Sequence, residues 1–142
     1  MSGKRGCSEL QENLTFDTEP IVAFFFGEPA AKPVIGLLEK IQTNDLVGYM
    51  NILNLTEVYY SIARRDPKAA EDKLKSLRAY GLKVVPVTDN GLWREAALIK
   101  NKYRLSLGDS FAVATAKAFK SKLVIGNDKE LRNLDVPLLR IR

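Results

Sequence analysis

Two rhythms of apolar residues alternate along the chain. Short aliphatic and β-branched runs at Leu14 to Phe16, Leu46 to Met50, Leu82 to Val87 and Lys122 to Ile125 have the length and composition of strands. Between them apolar residues return every three or four positions, the period of a helix with one buried face. Thr18-Glu19-Pro20 opens the first such segment after Asp17 and carries it to Phe26, before Gly27-Glu28-Pro29 turns the chain. Val34, Ile35, Leu37, Leu38 and Ile41 mark a helix from Ala30 to Gln42, which Thr43-Asn44-Asp45 breaks. In the third segment Ile52, Leu55, Tyr59 and Ile62 form the apolar stripe, while Asn54, Glu57, Ser61 and Arg64 share the polar side.

Asp66-Pro67 ends that helix and starts another, which reaches Tyr80 and stops at Gly81. Thr88 or Asp89 caps a helix bearing Leu92, Trp93, Ala96 and Ile99. A loop from Tyr103 to Gly108 leads into a helix from Asp109 to Phe119, whose Ala112, Ala114, Ala116 and Ala118 allow it to lie close against a neighbour. Gly126-Asn127-Asp128 is the exit of the strand that ends at Ile125, and Leu138 to Ile141 reads as an edge strand. Strands alternating with helices predict an α/β fold, a short, mostly parallel sheet covered on both faces. Such sheets bind ligands beyond the carboxyl ends of their strands.

Composition narrows the chemistry. At 142 residues and 46% hydrophobic, the chain fits one globular domain with its own core. Its first residues lack the apolar run of a signal peptide, and Ile21 to Phe26 is too short to span a bilayer, so a soluble cytoplasmic protein without membrane contact is expected. A single cysteine, Cys7, allows neither an internal disulfide nor a zinc knuckle. The chain has no histidine, which removes Ser-His-Asp triads and nearly all zinc or non-haem iron sites. Any metal must be hard and held by oxygen, as Mg2+ or Mn2+ is. Lys and Arg number 22 against 17 Asp and Glu, a net charge of +5 that attracts polyanions but serves solubility equally well.

Most of the acids, Glu39, Glu71, Asp72 and Glu95 among them, fall on ordinary solvated helix faces. Four are placed differently. Asp17 and Asp128 stand at strand exits, and Glu57 and Asp109 lie on the polar side of largely apolar helices. In a parallel sheet both exits emerge at one edge, where flanking helices can add Glu57 and Asp109 to a single acidic pocket. Clustered carboxylates repel one another unless a cation sits among them, and that cation can activate water against a phosphodiester. Each acid also has an ordinary reading. Asp17 can cap the helix near Pro20, and Asp109 suits a first turn through the helix dipole. Glu57 can face solvent beside Arg64 or Ser61, and Asp128 can be a turn residue.

Four segments containing these acids resemble, in order and spacing, those of PIN-domain proteins, especially VapC-type toxins. They are FDTEPIVAFFFGEP (Phe16 to Pro29), NLTEVYY (Asn54 to Tyr60), LSLGDSFAVATA (Leu105 to Ala116) and LVIGNDKEL (Leu123 to Leu131). The resemblance implies a three-layer sandwich with a short, mostly parallel central sheet, and an endoribonuclease dependent on Mg2+ or Mn2+. It maps Asp17, Glu57, Asp109 and Asp128 onto the family's four catalytic, metal-binding acids. It also implies RNA as substrate, a homodimer, and a cognate antitoxin that enters the site with a basic residue. The likeness begins near Leu14, so residues 1–13 are expected to be a flexible extension and 14–142 the nuclease domain. The family usually carries Ser or Asn where this chain has Glu19, and Thr or Ser where it has Gly126. Thr18 and Ser110 remain as polar neighbours of the acids. Arg64-Arg65, Lys100 to Arg104 and Lys117 to Lys122 are the basic segments available to form a rim for RNA. The competing reading is a non-catalytic member of the same architecture that binds RNA or protein through a drifted site. A receiver-type phosphoacceptor, which needs a strand-end aspartate near mid-chain beside an acid pair at the start, does not fit, because Glu57 lies within a predicted helix and a glutamate is not the usual acceptor.

Overall fold

A computed structural model of the protein describes residues 12–127, 131 and 133–141. The element order is β1 (Glu12–Phe16), α1 (Thr18–Phe25), α2 (Ala31–Gln42), β2 (Leu46–Asn51), α3 (Ile52–Ala63), α4 (Pro67–Ala79), β3 (Lys83–Val85), α5 (Asn90–Tyr103), α6 (Leu107–Ala118), β4 (Lys122–Ile125) and β5 (Leu138–Arg140). The strands form one sheet in the order β3-β2-β1-β4-β5. Every pairing within it is parallel, so the expectation of a mostly parallel sheet is met in full among the described residues.

Alternating strand residues feed two cores, as the pleat requires. Leu14, Phe16, Met50 and Val124 pack with Ile21, Val34, Leu38, Leu55, Val58 and Leu77 from α1 to α4. Leu123, Ile125 and Val85 point the other way, onto Leu92, Ala96 and Ile99 of α5 and Phe111, Ala112 and Val113 of α6. Helices therefore cover both faces in three layers. Three of the four alanines of α6 act as their spacing suggests, since Ala112, Ala114 and Ala116 are buried with almost no exposed surface, whereas Ala118 is exposed at the end of the helix. Among the described residues no helix is long and apolar enough to cross a membrane.

Several boundaries differ from the sequence pattern, each for a local reason. β1 starts at Glu12 rather than Leu14, paired to Leu46 of β2; the rest of the extension expected over residues 1–13 lies outside the described residues. The strand expected from Leu82 to Val87 is confined to Lys83–Val85, because Pro86 has no N–H to continue the ladder. α6 begins at Leu107 rather than Asp109, since Ser106 supplies the N-cap by accepting the Asp109 N–H at 3.1 Å. Trp93 is 41% exposed and donates its indole N–H to Asn90, so it is not part of the α5 core stripe. Gly81 does stop α4, in a left-handed conformation with φ of +97° that a side chain would resist.

The strand order places the site. From β1 the chain steps outward to β2 and β3, then returns to the other side of β1 for β4 and β5. The order thus reverses between β1 and β4, and the helices leaving these neighbours diverge, opening a crevice beyond their carboxyl ends. Asp17 follows β1 at this point, and Gly126-Asn127 follow β4. The Asp17 N–H donates to the Val124 carbonyl at 3.0 Å, extending the β1–β4 ladder to the edge of the crevice.

Candidate active site

Asp17 is 3% exposed and stands at the N-cap of α1, yet its carboxylate makes no capping bond. The capping reading of this residue therefore fails. Its Oδ1 instead accepts from Asn54 Nδ2 at 3.4 Å. Burial pushes its carboxyl well above the usual carboxylate range, and the negative charge of Asp109 adds to the rise. A hydrogen bond with the Asp109 side chain and the charge of Glu57 act in the same direction, against a lowering contribution from the Thr18 backbone N–H. Acids from two other elements, Asp109 of α6 and Glu57 of α3, thus bear on one buried carboxyl.

Glu57 is exposed, as its helical position suggests, but neither of its proposed local partners holds the carboxylate. Ser61 Oγ donates to the Glu57 backbone carbonyl at 2.8 Å, and Arg64 lies over the Tyr60 ring. The carboxylate turns toward α1, where Glu57 Oε1 accepts from Thr18 Oγ1 at 2.5 Å. It also lies over the first turn of α6, for a Cβ built on Gly108 would fall 2.5 Å from Glu57 Oε1. Asp109, one residue on, is held in that first turn by the Ser106 cap.

Asn54 ties these pieces together. The helical pattern groups it with the solvated side of α3, but it is fully buried. Its Nδ2 reaches Thr18 Oγ1 at 3.2 Å and the Gly108 carbonyl at 3.0 Å, besides Asp17. Its Oδ1 is buried and has no hydrogen-bond partner among the described residues. Asn54 and Gly108 are the residues of this region that sequence pattern missed. Their trace in the sequence is that each stands within three positions of a candidate acid, inside a segment shared with the resembled family.

The structure therefore brings Asp17, Asp109 and Glu57 to one crevice; Asp128, the fourth acid, lies outside the described residues. Asp17 meets Asp109 directly, with Glu57 beside them through Thr18. Among the described residues no three carboxylates yet close around one ligand point. The donor set nevertheless suits a hard divalent cation, being all oxygen, partly desolvated and mutually repulsive. Of the polar neighbours, Thr18 belongs to the site, whereas Ser110 Oγ donates back to the Ser106 carbonyl within α6.

The basic segments divide in the same way. Lys117 pairs with Glu95 and Asp135, and Lys122 with Glu12. Both belong to the far edge, since Lys117 lies eight residues beyond Asp109 on α6, roughly 12 Å along the helix. Lys100 donates to the Leu105 carbonyl, closing the turn into α6. These three lysines are engaged by partners within the chain.

Fold and crevice together define an α/β protein with an acidic site at the switch point of a parallel sheet. The PIN domain family matches the chain over residues 14–137, and the chain belongs to that family. No curated protein sequence gives a significant match. Among solved structures, a toxin-antitoxin complex from Klebsiella pneumoniae aligns with a TM-score of 0.72 at 17% identity, covering 89% of this chain and 95% of the other. VapBC2 from Rickettsia felis, bound to a DNA fragment from its promoter, aligns with a TM-score of 0.72 at 14% identity, covering 92% and 99%. PAE2754 from Pyrobaculum aerophilum reaches 0.62 at 20% identity, covering 94% and 92%. At such identities these likenesses concern the fold.

Proposed function

We propose that this protein is a metal-dependent endoribonuclease and the toxin of a toxin–antitoxin pair, with Asp17, Glu57, Asp109 and Asp128 as its catalytic and metal-binding acids. The observation that carries the reading is the buried Asp17 carboxyl pressed against Asp109, with Glu57 close by. A protein that needed only stability would gain by replacing one of these acids with a neutral residue. Their retention together is explained by a cation that offsets their charge.

When bound, Mg2+ or Mn2+ lowers the pKa of water and offsets negative charge on the scissile phosphate. The chain's own residues supply the positioning. Asp17 is immobilised by burial, by the ladder bond to Val124 and by Asn54. Thr18 directs the Glu57 carboxylate, and Ser106 fixes the α6 turn that carries Asp109. The chain's net charge of +5 favours a polyanionic substrate. Partnership with a cognate antitoxin is supported by the relatives that are themselves toxin–antitoxin complexes.

The test is cleavage of RNA with Mn2+ or Mg2+ by the protein and by its Asp17→Asn and Asp109→Asn variants, with calorimetric titration of Mn2+ alongside. Cleavage by the unaltered chain and its loss in both variants, with the fold retained, is the expected result. Undiminished cleavage by both variants rejects the site. Absence of both cleavage and Mn2+ binding in the unaltered chain favours the non-catalytic reading.

A further inference from the structure

We propose that Glu19 and Arg140 are positioning residues that grip the exit turn of β4 from opposite sides, and that Gly126 exists to admit Glu19. This deepens the nuclease reading, on which its consequence for metal binding rests. The peptide unit joining Gly126 to Asn127 is held at both polar ends. Its N–H, on Asn127, donates to Glu19 Oε1 at 2.6 Å. Its carbonyl, on Gly126, accepts from Arg140 Nη1 at 3.4 Å, while Arg140 Nη2 donates to the Leu131 carbonyl at 3.1 Å. One guanidinium thus joins residues 126 and 131, and Asp128 falls between them in sequence.

Arg140 is placed for this by the sheet, because it ends β5 directly beside Ile125, the last residue of β4. Glu19 arrives from the first turn of α1, two residues after Asp17. Both contacts involve a charged partner, but only the Glu19 contact, at 2.6 Å, has the short length of a charge-assisted hydrogen bond; the Arg140 contact to Gly126, at 3.4 Å, is a long one. Gly126 is buried, and a Cβ there would collide with the Glu19 carboxylate. The two departures from the resembled pattern, at 19 and at 126, are therefore one change. A large acid at 19 fills the space that the absent side chain at 126 leaves, and it takes up the backbone N–H at the same time. In this arrangement Glu19 acts through the backbone rather than as a further metal ligand.

The experiment compares Glu19→Ser, Glu19→Gln, Gly126→Ala and the double variant Glu19→Ser/Gly126→Ala in the full chain. Amide hydrogen exchange at Asn127, calorimetric Mn2+ titration and thermal midpoint are measured for each. Glu19→Ser is expected to speed exchange at Asn127 about tenfold and to weaken Mn2+ binding severalfold. Glu19→Gln keeps an acceptor oxygen and should stay near the unaltered protein in both. Gly126→Ala should resemble Glu19→Ser, and the double variant should be no worse than Glu19→Ser alone.

Unchanged exchange at Asn127 in Glu19→Ser overturns the proposal, as does full additivity of the two substitutions. Loss of Mn2+ binding in Glu19→Gln with normal exchange also overturns it, making Glu19 a ligand. If the unaltered chain neither takes up Mn2+ nor cleaves RNA, the nuclease reading falls while the exchange comparison still decides the grip.

Discussion

Asn54 on α3 donates to the backbone carbonyl of Gly108 on α6 at 3.0 Å, and the same amide nitrogen reaches Asp17 and Thr18. A single buried side chain therefore sets the spacing among three helices, each carrying one of the described candidate acids on it or at its start. Replacing it by Leu removes the donor and leaves the Gly108 carbonyl and the Asp17 carboxyl facing an apolar group. Asn54→Leu is expected to lower stability by about 1–3 kcal/mol, the cost of leaving buried polar groups unsatisfied. Urea denaturation measures this, and a loss below about 0.5 kcal/mol would show that the surroundings do not depend on the amide.

Gly108 offers a substitution that separates stability from activity. Alanine inside a helix is normally better than glycine by about 1 kcal/mol, so Gly108→Ala should not unfold the protein. Its Cβ, however, claims the space of the Glu57 carboxylate, which is exposed and can swing aside only by giving up its hydrogen bond from Thr18. Cleavage should fall by about a hundredfold, the usual consequence of misplacing a reacting group by an ångström. A thermal midpoint kept or raised together with lost cleavage is the expected pair of results, and retained cleavage would remove Glu57 from the site.

The raised pKa of Asp17 carries a pH dependence of definite sign. In the metal-free folded protein burial and Asp109 keep the proton on at pH values where the unfolded chain has released it. At this group the folded state then binds more protons, so Asp17's contribution to stability is fully present below about pH 4 and is lost as pH rises through the raised value. Chemical denaturation of the metal-free protein across this window should show the decline, and Asp17→Asn should flatten it. A rise in stability over the same window in the unaltered protein, absent from Asp17→Asn, would contradict this account of the carboxyl.

Divalent cation should reverse that decline. A ligand that binds only the folded state stabilises it by about 2.7 kcal/mol at a hundred times its dissociation constant. Mn2+ is therefore expected to raise the thermal midpoint of the unaltered protein more at neutral pH than at acidic pH, since the proton that burial and Asp109 hold on Asp17 competes with the cation. Asp109→Asn should lose most of this effect. An equal rise in that variant would place the cation elsewhere.

Much of this architecture is written locally. The apolar period of α2 and α3, the Asp66-Pro67 start and Gly81 stop of α4, and the β4 run from Lys122 to Ile125 all survive in the structure. Such features depend on neighbours a few residues apart, and the absence of histidine restricts the chemistry without any knowledge of shape. Strand exits and helix faces visible along the chain made Asp17, Glu57 and Asp109 candidates, while their ordinary readings stayed open until the family resemblance was set beside them.

Tertiary structure decided what those residues do. Helical period marks Asn54 as a solvated residue, and only the approach of α1 and α6 to that side of α3 buries it. Capping and acidity are indistinguishable for Asp17 in sequence, because both uses put Asp after a strand; the missing cap bond and the facing Asp109 separate them. Glu19 and Gly126 are more than a hundred residues apart, and their complementarity exists only where β1 and β4 lie side by side. Pattern along a chain reports which face a residue takes on its own element. Which other element comes to that face is set by long-range packing.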